Sequence, residues 1–153
     1  MELRISGNLF AIPLLSVKEV ISKPEVTLVP NMPAHFEGMI NLRGQILGVY
    51  NARKKIGSKG SEKTLDTVVK SQEKNLEVVV GIEVDGVKVG VTVDDVTRVL
   101  HVEENMLREA PLKESDPAFR YITAIIELES ELIQTLNISA LLELDRPVSR
   151  KAA

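Results

Sequence analysis

His101-Val102-Glu103 carries the H-x-E spacing with which zinc deaminases pair a metal-ligating histidine and a proton-transferring glutamate, which makes it the first place to look for catalysis. That chemistry also needs a P-C-x-x-C segment to complete the zinc site, and the chain contains no cysteine. His35 stands far away in sequence with no cluster of ligand-type residues nearby, so no metal is expected. Asp94 and Asp95 are the raw material of a general acid and base. On an extended segment, however, neighbouring side chains point to opposite faces and cannot work on one substrate. Glu127, Glu129 and Glu131 alternate with apolar Leu128 and Leu132, the pattern of a strand with one wet face, and are assigned to solvent. Gly57-Ser58-Lys59-Gly60 is glycine-rich but lacks the G-x-x-x-x-G-K-[ST] spacing of a phosphate cradle and reads better as a loop. Arg53, Lys54, Lys55, Lys59 and Lys63 could meet an acidic partner, and they serve equally well as a solvated helix-and-loop face. Neither an enzyme nor a cofactor is expected from this inventory.

Bulk properties narrow the partners. With 19 basic and 22 acidic side chains the net charge is -3, which offers no general attraction to DNA or to an acidic lipid surface. Three Phe, two Tyr and no Trp are too few for base-stacking platforms, so nucleic acid is not an expected partner. Absence of Cys excludes disulfides and fits a cytosolic protein. Met1-Glu2-Leu3-Arg4 lacks the charged-then-apolar order of a leader, and no apolar run approaches the roughly 20 residues that span a bilayer. The expectation is a cytoplasmic protein without direct membrane insertion. A chain of 153 residues that is 44% hydrophobic can bury a substantial core as one domain or two small lobes.

Period-two alternation and β-branched residues dominate the elements that must position any site. Strands are expected at 2–5, 9–13, 18–22, 38–42 and 45–50, then at 76–84, 87–93, 96–102, 122–128 and 132–136. Ser6-Gly7-Asn8 and Asp85-Gly86 mark hairpin turns. Helical turns are expected at 33–36 and 51–56, and a last helix at 138–144, capped by Asn137 or Ser139 and ended by Pro147. Residues 57–75, rich in Lys, Ser, Glu and Gly, look like a linker between two strand groups. Within it Leu65, Val68 and Val69 are spaced for one side of a helical turn, although a strand fits as well.

The most distinctive stretch is PNMPAHFEGMINLRGQILGVYNARKKIG, which sets a tight turn, Arg43-Gly44, between two apolar segments. Pro30, Pro33, Phe36, Gly38, Asn41, Leu42, Arg43 and Gly44 stand in the order found in the CheW coupling proteins of bacterial chemotaxis, which the chain resembles. Upstream, Phe10-Ala11-Ile12-Pro13 and Val17-Lys18-Glu19-Val20-Ile21 are similar to that family's first strand and its Val-x-Glu-Val element. Downstream, VKVGVTVDDVTRVL is similar to its Val-Gly-x-x-Val-Asp-x-Val-x-x-Val run, so the likeness covers roughly residues 3 to 145.

The resemblance implies an all-β fold of two SH3-like five-stranded β-barrels on a shared core, with chain segments exchanged between them and short helices including one near the C-terminus. Residues 1–145 would form one domain of two intertwined lobes, residues 57–75 a linker longer than usual, and residues 146–153 a disordered tail. It further implies a non-catalytic adaptor: one barrel binds the regulatory domain of the histidine kinase CheA, and the cleft between barrels holds the cytoplasmic tip of a methyl-accepting chemoreceptor. By motif position the receptor side would include Val17, Glu19, Val20, Gly38, Arg43, Gly44, Gly90, Val96 and Val99. The valines could equally be core, and the glycines could serve only turns or close packing. Arg43 could sit in solvent or pair with Glu19. Three positions depart from the family pattern: Gly48 stands for Pro, Asn51 for Asp, and Ala124 where Thr precedes Gly. An alternative is a CheW-like interaction module of a larger array-organising, polar-localisation or pilus-signalling protein.

Overall fold

Three hairpins share one turn chemistry. β1 (Glu2–Ile5) and β2 (Asn8–Ala11) are joined by Ser6-Gly7, β4 (Phe36–Leu42) and β5 (Gln45–Asn51) by Arg43-Gly44, and β6 (Val78–Val84) and β7 (Val87–Val93) by Asp85-Gly86. Both central residues of each turn have positive φ, for example 51° at Arg43 and 81° at Gly44. This is the type I′ geometry whose twist matches that of the strands it joins, and glycine takes the second place. The computed structural model describes residues 1–56 and 77–143. The linker at 57–75 with Leu65, Val68 and Val69, and the tail at 146–153, lie outside the described residues.

The remaining elements are β3 (Val17–Ser22), α1 (Ala52–Ile56), β8 (Asp95–Arg98), β9 (Leu107–Arg108), β10 (Ile122–Leu128), β11 (Glu131–Leu136) and α2 (Ile138–Leu142). They form a six-stranded sheet of order β8-β1-β2-β11-β10-β9 and a five-stranded sheet of order β3-β6-β7-β5-β4. The fold is all-β, as expected. The first sheet has a sixth strand because β9, only two residues long, pairs with β10; no periodicity can be read over two residues. Both ends of the described chain build the first sheet and the consecutive strands β3 to β7 build the second, so the second sheet is inserted within the first and the expected exchange of segments does not occur among the described strands.

The second sheet bends round toward closure. β3 and β4 are the outer strands of the second sheet, yet the chain just beyond β3 comes back to β4, where Thr27 and Met39 exchange two backbone hydrogen bonds of 2.8 Å. In the first sheet the outer strands β8 and β9 are consecutive in sequence, joined by residues 99–106.

Burial explains why β6, Val78-Val79-Val80-Gly81-Ile82, reads as a nearly unbroken apolar run. Val89, Val91 and Val93 join Leu3, Ile5 and Phe10 of the first sheet and Val80 and Ile82 of β6 in a core shared by both sheets. On the opposite side, Val79 packs with Ile40, Leu47 and Val49 in a smaller core belonging to the second sheet. A strand covered on both faces loses its polar alternation. Ala11, Ile126 and Ile133 form the corresponding small core of the first sheet.

The helices follow their caps. Asn137 accepts a hydrogen bond from the Ala140 N–H at 3.2 Å, and Glu143, at φ 57°, turns the chain out of α2. The expected Pro147 stop lies outside the described residues. Asn51 caps α1 through the Lys54 N–H at 3.2 Å. The helical turn expected at 33–36 is a simple turn closed by the Phe36 N–H on the Pro33 carbonyl, 2.9 Å. The expected strand at 96–102 stops at Arg98, so Val99 lies in the connection to β9.

Candidate functional site

Glu19 on β3 and Arg43 at the β4–β5 tip meet across the closing seam of the second sheet, Arg43 Nη2 lying 3.1 Å from Glu19 Oε1. The pair anticipated from sequence forms, but in water: the Arg43 side chain is 81% exposed and that of Glu19 24%. The tip is held independently, because the Gly44 N–H donates to Asn41 Oδ1 at 3.0 Å. With Lys18, Gln45 and Gly81 the pair lines a shallow groove of about 200 Å³. Strand alternation puts Val17 and Glu19 on one face of β3 and Val20 on the other, where Val20 is exposed. Val17 is half-buried against the shared core.

Gly38 and Gly90 are buried, and their part in any site is to shape the backbone. A Cβ on Gly38, whose φ is +145°, would lie 2.2 Å from the Thr27 carbonyl oxygen and 2.7 Å from Val26 Cγ1, within the seam that closes the sheet. A Cβ on Gly90 would lie 2.9 Å from Val79 Cγ1 in the second sheet's own core. Gly44 faces open space and serves its turn through φ +81°. Gly48 leaves room for Phe36, whose ring packs edge-on to Tyr50 at 5.1 Å.

On the first sheet, Val96 pairs with Leu3 and is half-buried on the shared core, whereas Val99 is 59% exposed. Between the sheets, where the resemblance implies a cleft, runs a mostly apolar groove whose lining residues the motif positions did not include. One part, about 270 Å³, is lined by Ile12, Pro13, Ile82, Val84, Thr123 and Leu136. It shares Ile12, Pro13, Thr123 and Leu136 with a hollow of about 300 Å³ that reaches Leu14, Leu100, Val102 and Leu107. Leu14 and Leu15, in the 3₁₀ turn Leu14–Ser16 that carries the chain from one sheet to the other, are 48% and 92% exposed. The available signal was two adjacent leucines in a connector too short to bury both. Ala124 sits beside this groove, next to a register shift in β10, and its carbonyl accepts from Thr135 Oγ1 at 3.1 Å.

Behind the seam lies a polar knot. Glu37 Oε1 accepts from Asn51 Nδ2 at 2.6 Å and from Lys23 Nζ at 3.2 Å, and Glu37 Oε2 accepts from Thr92 Oγ1 at 2.8 Å. Lys23 also binds Glu77 at 2.6 Å. Burial disfavours the Glu37 carboxylate, but the hydrogen bonds from Asn51, Thr92 and Lys23 outweigh it and hold its pKa below the usual range. Burial likewise opposes the Lys23 ammonium, and the bonds to Glu77 and Glu37 raise its pKa nonetheless. Asn51, the departure from Asp, supplies the N–H that an ionised carboxylate lacks. Burial, then the charge of Lys55, lowers the His35 pKa.

The candidate catalytic groups are engaged in structure. Asp94 Oδ2 accepts from the Ser6 N–H and Asp95 Oδ1 from the Val96 N–H, each at 2.8 Å. Glu127 and Glu131, half-exposed, pair with Arg108 and Arg98 at 3.2 and 2.7 Å. Arg53 is drawn to Asp94 and Glu77, and Lys55 to Glu143, while Lys59 and Lys63 lie outside the described residues. No group of three or more His, Asp or Glu among the described residues could hold a metal ion, and no described helix is long and apolar enough to cross a membrane.

Comparison with known proteins agrees with this architecture. The family model described as CheW-like domain matches residues 1–146. The chain is 28% identical to "Chemotaxis protein CheW" of Thermotoga maritima over 143 residues, which covers 94% of this chain and 86% of that one. It is 26% identical to "Probable chemotaxis protein CheW" of Rhizobium etli over 138 residues, covering 90% and 83%. The crystal structure of the scaffolding protein TtCheW from Thermoanaerobacter tengcongensis superimposes with a TM-score of 0.73 at 25% identity, covering 93% of this chain and 90% of that one. The chain therefore belongs to the CheW-like domain family, the scaffolds of bacterial chemotaxis, and is not an enzyme.

Proposed function

We propose that this chain couples chemoreceptors to the histidine kinase CheA, with the helical receptor tip seated in the groove between the two sheets and the kinase's regulatory domain docked on one sheet alone. The observation that carries this reading is the groove itself. Its lining is mostly apolar, it opens where Ile82 and Val84 of the second sheet meet Thr123 and Leu136 of the first, and Leu14 and Leu15 beside it remain exposed. An amphipathic helix buries its apolar stripe in such a groove. In this reading Val17, Val20, Val96 and Val99, which lie outside the groove's lining, offer further apolar contacts to the receptor helix, and Glu19, Arg43 and Gly44 supply a charged corner. Gly38 and Gly90 act from inside, by letting the second sheet close and pack. The protein works in the cytoplasm, at the receptor array.

The test is titration of the purified chain with a receptor-tip fragment and, separately, with the kinase regulatory domain. The adaptor reading predicts binding to both. Binding to neither, with capture instead of an unrelated scaffold, would favour an interaction module of some other assembly.

A further inference from the structure

The chain passes from the second sheet to the first at one residue, Asp94, between the end of β7 and the start of β8. Its backbone N–H donates to the Arg4 carbonyl of β1 at 3.0 Å. Its carboxylate reaches in two directions. Oδ2 accepts from the Ser6 N–H at the β1–β2 turn at 2.8 Å, on the first sheet. Oδ1, fully buried, lies 3.2 Å from Nε of Arg53, on the helix that continues β5 of the second sheet. Oδ1 meets this guanidinium as an ion pair without an aligned hydrogen bond. Arg53 in turn extends toward Glu77, just before β6, at 3.8 Å.

One carboxylate thus ties a turn of the first sheet to a helix of the second at the point where the covalent link between them bends. From this geometry we infer that Asp94 is a positioning residue that fixes the angle between the two sheets, and through it the width of the groove, without touching a partner. The part that concerns the receptor rests on the adaptor reading above. A ligand spanning both sheets must feel a change in their relative pose, and one held by a single sheet must not. Loosening the clamp spreads the free protein over poses of which only a fraction can bind, and affinity falls by that fraction.

The chain has no native cysteine, so spin labels can be placed at Leu132→Cys on β11 and Ile46→Cys on β5, both exposed. Electron-electron distance measurement should give one narrow distribution for otherwise wild-type protein. Asp94→Ala should broaden or shift it, and Asp94→Asn, which keeps an acceptor for Ser6 but loses the charge facing Arg53, should do so less. Without labels, Asp94→Ala should weaken receptor-fragment binding about tenfold and leave the kinase domain's affinity within about twofold. An unchanged distance distribution in both variants, or equal loss of both affinities, would overturn the inference. If Asp94→Ala does not fold, Asp94→Asn decides by the same readouts. Should wild-type protein bind neither partner, the adaptor reading fails, and the distance measurement still settles the role of Asp94.

Discussion

Replacing Arg43 by alanine separates a surface ion pair from a partner contact. In the free protein Arg43 makes one contact of 3.1 Å with Glu19, and its side chain is 81% exposed. Pairs so solvated contribute about 0.2–1 kcal/mol, and the tip keeps its shape through Gly44 and Asn41, so the unfolding free energy from urea denaturation should change by less than about 1 kcal/mol. Against a bound receptor the same guanidinium loses water on all sides and bonds to an acceptor. A hydrogen bond to a charged group is then worth about 1.5–3 kcal/mol, or roughly a tenfold to hundredfold loss of affinity on truncation. Calorimetric titration with the receptor fragment, set beside urea denaturation of the same samples, reads the two effects separately. A charge swap, Glu19→Arg with Arg43→Glu, should restore the pair's small stability term and leave binding impaired. Affinity for the receptor fragment within twofold of wild type for Arg43→Ala would refute the reasoning, as would a stability loss above about 2 kcal/mol.

Gly38→Ala should destabilise by about 3 kcal/mol or more, because the new methyl collides with Thr27 at a positive φ and breaks the two hydrogen bonds to Met39; a loss below about 1 kcal/mol in urea denaturation would mean the seam adapts. Asn137→Ala should remove the α2 cap at a cost of about 1 kcal/mol, read from the same assay. Glu37 has a lowered pKa when folded, so its contribution is complete above its unfolded-state pKa and is lost as pH falls through the folded value. Lys23, with a raised pKa, contributes fully below its unfolded-state value and loses that contribution as pH rises through the folded one. The knot's own contribution should therefore be flat between these limits, while His35, its pKa lowered by burial, makes stability rise with pH just below the ordinary histidine range; Glu37→Gln should lower the whole curve there and flatten the acid limb, and an unaltered acid limb in denaturation across pH would mean the knot does not matter.

Much of this fold is written in local chemistry. Arg43-Gly44 and Asp85-Gly86 announce type I′ turns because few residues other than glycine accept the second position, and the apolar runs beside them can only be strands. The Glu19–Arg43 pair was legible only as one of two options for Arg43, solvent or Glu19, because nothing local says that β3 faces the hairpin tip. What escaped were features made by distant segments meeting. β9 is two residues whose pairing depends on β10, and the burial of Gly38 depends on Thr27 returning to the sheet. The groove exists because Ile12 and Pro13 meet Ile82, Thr123 and Leu136, which lie far apart along the chain. Asp94 read as half of a failed catalytic pair, and only the crossing of the sheets reveals what it holds.

The seating of the receptor between the sheets is tested most directly by mapping backbone amide shifts of isotope-labelled protein on titration with a receptor-tip fragment. The expected result is perturbation on both sides of the groove at once, at Ile82 and Val84 of the second sheet, at Thr123 and Leu136 of the first, and at Leu14 and Leu15 in the connector, with the kinase regulatory domain perturbing one sheet only. Receptor-induced shifts confined to a single sheet, with Leu14 and Leu15 unmoved, would contradict it.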